Sequence, residues 1–285
     1  MAALRAAFAI TATTLLAEAV GGWWTGSLAL IADAGHMLVD AGALAVAWVA
    51  AWVSLRPRDP RRTFGYGRTQ ILGALANGVL LGAVSAGVAL EAIERLAAPA
   101  AQIDARPMLA IAILGLGANL LSAALLHRTG SHNLNVRAAL WHVVGDALGS
   151  AGAIAAALCI LLLDLPRADA IAALGIGALL LGSAARLIRD AVDVLLEGTP
   201  RHIDLAKLTT EVCALPGVAS LHDLHVWTVG PGFPAMSAHV DVRPGADPES
   251  VRKAVHRLLH QAYGVRHTTI QTESVPLHEI QRPDA

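Results

Sequence analysis

The chain has 285 residues, 55% of them hydrophobic and only 15% charged, with a formal net charge of −1 and a mean hydropathy of +0.56. That balance points to a membrane protein and leaves no basic tract for binding nucleic acid. The two cysteines, Cys159 in an apolar run and Cys213 in a polar region, have no CxxC neighbour, so neither a disulfide framework nor a thiolate zinc site can be read.

Six apolar segments follow in chain order, at about 5–25, 28–53, 70–95, 107–127, 138–163 and 168–190, each near the length that crosses a bilayer. The first carries Glu18 and continues through Gly22 and Trp23 into the second, which predicts a retained span rather than a cleaved signal. Glycine and alanine are dense throughout, allowing membrane helices to approach closely. The joint between the second and third segments is basic, with Arg56, Arg58, Arg61, Arg62 and Arg68. With six crossings Arg5, Arg128 and Arg137 fall on that same side, which predicts that both termini are cytoplasmic.

After Gly198 the composition becomes that of a soluble domain. The expected division is a six-helix transmembrane domain over 1–198 and a cytoplasmic domain over 199–285. Apolar spacing predicts a helix over 203–214, and Pro216-Gly217 breaks it. Strands are predicted over 218–229 and 235–242, flanking Gly230-Pro231-Gly232. A helix opening at Asp247-Pro248 and a strand over 266–273 complete an α-β-β-α-β order, a small α+β sandwich with its helices on one sheet face.

The stretch Asp33-Ala34-Gly35-His36-Met37-Leu38-Val39-Asp40 carries the chemistry. His36 and Asp40 are four apart, so on a helix they share one face with about 5–6 Å between Cβ atoms. The pattern recurs at His142 and Asp146 in the fifth segment. One charge at a membrane-helix centre costs about 2.5–3.5 kcal/mol even on lenient scales, so ionisable groups there point to function. Two imidazoles and two carboxylates from facing helices suit tetrahedral Zn²⁺. Glu18, Asp33, Asn77 and Asn119 are further polar residues within spans, expected to support the metal ligands or pack the helices rather than to ligate directly, with Asp33, Asn77 and Glu18 also candidates for the ion's path. In the tail, His222, His225 and His239 lie on or beside predicted strands and Glu273 ends the last one. His222 and His225, three apart in an extended run, are expected on opposite faces, so only one of them joins His239 directly. His256 and His260 sit among Arg252, Lys253 and Arg257 and read as a solvated basic helix face. A metalloprotease is excluded at the motif level, because His278-Glu279 lacks the second histidine of HExxH.

These residues carry a family resemblance. The stretch Ser27 to Met37, then Phe64-Gly65-Tyr66-Gly67-Arg68 with Ile71 to Gly78, then Asn133 to Arg137 through His142 to Ser150, and Leu221-His222-Asp223-Leu224-His225-Val226-Trp227 resemble the zinc-transporter branch of the cation diffusion facilitators. The resemblance covers essentially the whole chain. It implies six transmembrane helices, a cytoplasmic ferredoxin-like domain, a homodimer in membrane lipid, and Zn²⁺/H⁺ antiport by a non-enzymatic carrier of the bacterial inner membrane. It maps the transport site onto His36, Asp40, His142 and Asp146, and a second metal site onto His222, His239 and Glu273. Gln70 stands where members usually carry a glutamate, and the joint between the fourth and fifth segments is short and poor in histidine. The implied chemistry is competition: metal needs neutral imidazole and ionised carboxylate, so protons and metal contend for the same atoms.

Overall fold

The computed structural model describes residues 2–98, 102–128 and 134–274; within the helices, the side chains of 2–9, 44, 125–128 and 134–145 lie outside the described residues. Among the described residues six long helices come first: α1 (Ala2–Thr25), α2 (Leu28–Ser54), α3 (Arg68–Ala97), α4 (Ala105–Arg128), α5 (Leu134–Leu163) and α6 (Arg167–Leu195). Each of α2 to α6 holds a stretch long and apolar enough to cross a membrane. The 24 residues of α1 rise about 36 Å, also a membrane's thickness. The chain divides into two compact units, Met1–Val46 with Ala76–Ile188, and Ala47–Leu75 with Arg189–Ala285.

In the first unit α1 packs on α4 and α4 on α5. A buried cluster drawn from α2 to α6 is mostly alanine: Ala29, Ala92, Ala112, Ala153, Ala156, Ala157 and Ala173 sit with Leu28, Leu30 and Met108. Small side chains let the backbones close up, which gives membrane helices their dispersion contact without any hydrophobic drive. The large apolar side chains point the other way. Leu114, Leu162 and Leu179 are 71%, 76% and 67% exposed, an arrangement suited to hydrocarbon rather than water. Trp23 and Trp24 are exposed at the end of α1, where interfacial tryptophans belong.

The start of α2 is held from α6. Asp169, fully buried, accepts from the Ser27 hydroxyl at 2.6 Å, from the Leu28 N–H at 2.6 Å and from the Ala29 N–H at 3.2 Å. Ser27 Oγ in turn accepts from the Leu30 N–H at 3.2 Å. Orphan amide groups of the first turn are thereby satisfied, and a carboxylate sits at the positive end of the helix dipole. This contact sets the height of α2, and so of His36 and Asp40, relative to α6.

The second unit contains the tail: α7 (Leu205–Cys213), β1 (Val218–Gly230), β2 (Phe233–Val242), α8 (Pro248–Tyr263) and β3 (His267–Glu273). The helix expected from Ile203 starts at Leu205, because Asp204 caps it by accepting from the Ala206 and Lys207 N–H groups. Asp247 caps α8, and Gly264, at φ +69°, ends it. The sheet order is β1-β2-β3, with β1 and β2 antiparallel and β2 and β3 parallel. Leu208 and Val212 of α7 and Val251, Val255 and Leu259 of α8 pack with Val226, Met236, Ala238 and Val240 of the sheet. Both helices therefore cover one face, and alternation along β2 turns Ser237, His239 and Asp241 to the other.

The loop between α2 and α3 belongs to this unit and is folded around Asp59, which accepts from the Arg61 and Arg62 N–H groups and from the Tyr66 hydroxyl at 2.6 Å. The Tyr66 hydrogen bond, reinforced by the two amides, holds the Asp59 carboxyl below its ordinary range. Gln70 donates to Ser54 Oγ at 2.7 Å, tying α3 to α2.

Asp169→Ala should destabilise the protein by about 2 kcal/mol or more, since it strips a cap and leaves buried donors without an acceptor. Thermal unfolding of the purified protein in detergent checks this: a lowered midpoint is expected, with Asp169→Asn falling between the variant and the parent.

Candidate metal centres

His36 and Asp40 lie near the middle of α2, on one face because of their i, i+4 spacing. His36 Nε2 stands 3.5 Å from Asp40 Oδ2 and 3.7 Å from Asp146 Oδ1 of α5. One donor atom from each of the three falls within 4.8 Å of the others. Bonds of about 2.0–2.1 Å in a tetrahedron put neighbouring ligands about 3.3–3.4 Å apart. The two separations from His36 need to close by only a few tenths of an ångström around such an ion. The fourth expected residue, His142, lies on α5 one turn before Asp146, but its side chain falls outside the described residues.

The residues expected to support this site divide. Asp33, buried, accepts from Ser150 Oγ at 3.4 Å, and Ser150 Oγ accepts from Asn119 Nδ2 at 3.4 Å. Gly149 makes room for it, since a Cβ there would press on both Asp33 oxygens. Glu18 is buried, packed on Gly115 of α4 beside Ser150. Asn77, in α3, has a buried Oδ1 without a hydrogen-bond partner. None of the three is among the residues whose donor atoms converge.

On the open face of the tail sheet a second cluster forms. His222 and His239 are cross-strand partners with ring centroids 5.3 Å apart. His239 Nδ1 lies 2.8 Å from Glu273 Oε1, and His222 Nε2 lies 3.7 Å from Glu273 Oε2. Strand pairing explains the convergence: β2 is central, and Glu273 is the partner of Asp241 across β2 and β3.

One expectation is corrected here. His222 and His225 are on the same sheet face, not opposite ones. Between them β1 bulges, so that His222 pairs with His239 and His225 with Ser237, two residues on. The extra residue reverses the alternation, with Asp223 in the left-handed region at φ +48°. His225 nonetheless stays out of the cluster, because its Nε2 bonds Asp223 Oδ1 at 2.8 Å. That hydrogen bond keeps the Asp223 carboxyl below its ordinary range.

The sequence reading missed Asp241. Its Oδ1 is buried without a hydrogen-bond partner and lies 3.8 Å from His222 Nε2, while Oδ2 accepts from Ser220 Oγ. The available signal was its position two residues after His239, on the same face of the strand. His256, by contrast, bonds Thr268 Oγ1 at 2.8 Å and leads to no metal cluster among the described residues.

Comparison with known proteins adds the following. Residues 4–196 match the family model for the cation efflux transmembrane domain, and residues 200–275 match that for the cation efflux protein, cytoplasmic domain. The chain is 45% identical over 280 residues to zinc transporter ZitB of Shigella flexneri, covering 98% of this chain and 88% of the relative. It is 39% identical over 266 residues to a cadmium, cobalt and zinc/H(+)-K(+) antiporter of Bacillus subtilis, covering 91% and 85%. Among solved structures, the metal-bound C-terminal domain of the CzcD transporter from Cuprividus metallidurans matches 25% of this chain and 99% of its own, at 35% identity and a TM-score of 0.24.

Proposed function

The chain belongs to the cation efflux family, an integral membrane transporter and not an enzyme, and we propose that it exports Zn²⁺ from the cytoplasm in exchange for protons. The observation that carries this reading is the convergence of His36, Asp40 and Asp146 donor atoms within 4.8 Å at mid-helix. Metal identity is supported by the donor set, imidazole nitrogen with carboxylate oxygen, and by relatives named as zinc transporters. Proton exchange is supported by the ligand chemistry and by the relative whose name includes H(+). His142 completes the ligand set in this reading, on the i, i+4 repeat of the His36–Asp40 pattern.

The cycle follows from charge. Zn²⁺ entering from the cytoplasmic side displaces protons from imidazole and carboxyl groups. Two carboxylates then balance the dication, and a nearly neutral site can be re-exposed on the other side by rocking of helices. Protons arriving there displace the metal. We place the protein in the bacterial inner membrane with both termini in the cytoplasm, from the arginine bias of the α2–α3 loop, and assign transport to residues 1–198 and regulation to residues 199–285. The working unit is a homodimer in lipid. His222, His239 and Glu273, with Asp241 beside them, hold a second Zn²⁺ that adjusts the tail without lying on the transport path.

Transport into proteoliposomes tests the main site. Asp40→Ala or Asp146→Ala should abolish Zn²⁺ uptake while leaving the protein folded; near-parental uptake in either would remove the site from the mechanism. His36→Asp should retain some Zn²⁺ uptake, admit Cd²⁺ better relative to Zn²⁺, and act at lower pH. An imidazole titrating near 6.5 is then replaced by a carboxyl near 3.9 before any effect of surroundings. An unchanged metal ratio with an unchanged pH profile would mean that His36 does not touch the ion.

The tail site is tested by calorimetry on the full-length protein with Asp40 and Asp146 both replaced by alanine. His239→Ala should eliminate the remaining Zn²⁺ binding, and Asp241→Asn should weaken it about 10–100-fold. Binding indifferent to His239→Ala would dismiss the tail site.

A further inference from the structure

Among the described residues, Glu18 is the largest buried ionisable group without a place in either metal cluster. It is 1% exposed, and neither carboxyl oxygen has a hydrogen-bond partner among the described residues. A helix-gluing role would show such bonds, since a membrane helix uses a polar side chain to bond its neighbour. A buried polar group left in this state needs an explanation.

Its surroundings are shaped around it. Gly115 of α4 leaves the space that Glu18 Oε1 fills, and a Cβ there would meet both Oε1 and, at 3.3 Å, Ser150 Oγ. Ser150 Oγ donates to Asp33 Oδ2 at 3.4 Å. The same carboxyl also lines a cavity of about 460 Å³ between α1 and α4, walled by Thr13, Thr14, Ile111, Leu114 and Ala118. Glu18 thus has two neighbours of different kinds: an open cavity, and a polar line through Ser150 to Asp33. The charged groups that act on it are Asp33 from α2 and Asp146 from α5, the latter a member of the metal cluster; among the described residues, α4 contributes the neutral Asn119 and Ser122 to the buried polar set.

We propose that Glu18 carries one of the exchanged protons, on a site separate from the metal ligands. This rests on the proton-exchange reading above. With no dication in the cluster, an ionised Glu18 would stand donorless near two other carboxylates, so it holds a proton. When the dication arrives, its field offsets those carboxylates. The O–H bond of Glu18 then breaks, and the proton leaves to the side the metal came from while the electron pair stays on the carboxylate. Once the helices have rocked, release of the metal on the other side lets Glu18 take its next proton from that side. Chains of intramembrane acids are the general means of moving protons through helix bundles. The division also relieves a conflict, because a group that never binds metal can hold its proton without blocking the ion.

The experiment uses the full-length protein in proteoliposomes under imposed pH gradients. Each coupled proton multiplies the steady-state Zn²⁺ ratio by about ten per pH unit. Glu18→Gln, equal in size, should lose one such factor while still binding Zn²⁺ in detergent, with one proton fewer released per ion bound; Glu18→Asp should keep it. Parental gradient dependence in Glu18→Gln overturns the proposal, as does loss of Zn²⁺ binding in both variants, which marks a structural role. Parental protein indifferent to the gradient overturns proton exchange itself, and Glu18 with it. A measurement on the unaltered protein covers a Glu18→Gln that does not fold. Carbodiimide, which labels protonated carboxyls, should modify the Glu18 peptide without Zn²⁺ and spare it with Zn²⁺; equal labelling in the two conditions overturns the proposal.

Discussion

Charge buried at membrane depth has to be matched there, because hydrocarbon offers no water to do it. In this chain the matching is concentrated between α2 and α5, where the His36 imidazole faces the Asp40 and Asp146 carboxylates at 3.5 and 3.7 Å. The rest of the first unit serves that meeting. Alanine-lined contacts let the helices approach, and Asp169 pins the first turn of α2. Two glycines clear space for acids behind the cluster, Gly149 for Asp33 and Gly115 for Glu18.

The tail repeats the logic in water. Its sheet has one face committed to the α7 and α8 core and one face free. The free face gathers donors from all three strands, His222 from β1, His239 and Asp241 from β2, and Glu273 from β3. Cross-strand pairing places them, so the site depends on strand register, and register depends in turn on the apolar face. The donor cluster on one face and the core on the other are therefore coupled through the same three strands. That coupling is what a domain needs if metal binding is to alter its shape or pairing.

Much of this could be read from the residues alone. The spans are long and apolar, and i, i+4 spacing within a helix is a local rule, so His36 and Asp40 followed directly from the sequence. Helix starts were legible only to within a turn, because Asp204 spends its side chain on capping rather than continuing the helix. Asp169 was hidden inside an apolar run, its partners at residues 27–29 far away in sequence, and no periodicity reports such a contact. The face of His225 was misread because strand alternation assumes no bulge, and the left-handed Asp223 inserts one. Asp241 was passed over since a lone acid on a strand resembles solvent-facing polarity until its strand neighbours are known.

Zinc absorption spectroscopy on full-length protein loaded with one equivalent of Zn²⁺, with His222 and His239 replaced by alanine, tests the central claim most directly. The account predicts a shell of nitrogen and oxygen at about 2.0–2.1 Å with imidazole scattering, lost when Asp40 and Asp146 are also replaced. A sulfur shell near 2.3 Å, bringing in Cys159 or Cys213, or a spectrum unaffected by those replacements, would contradict it.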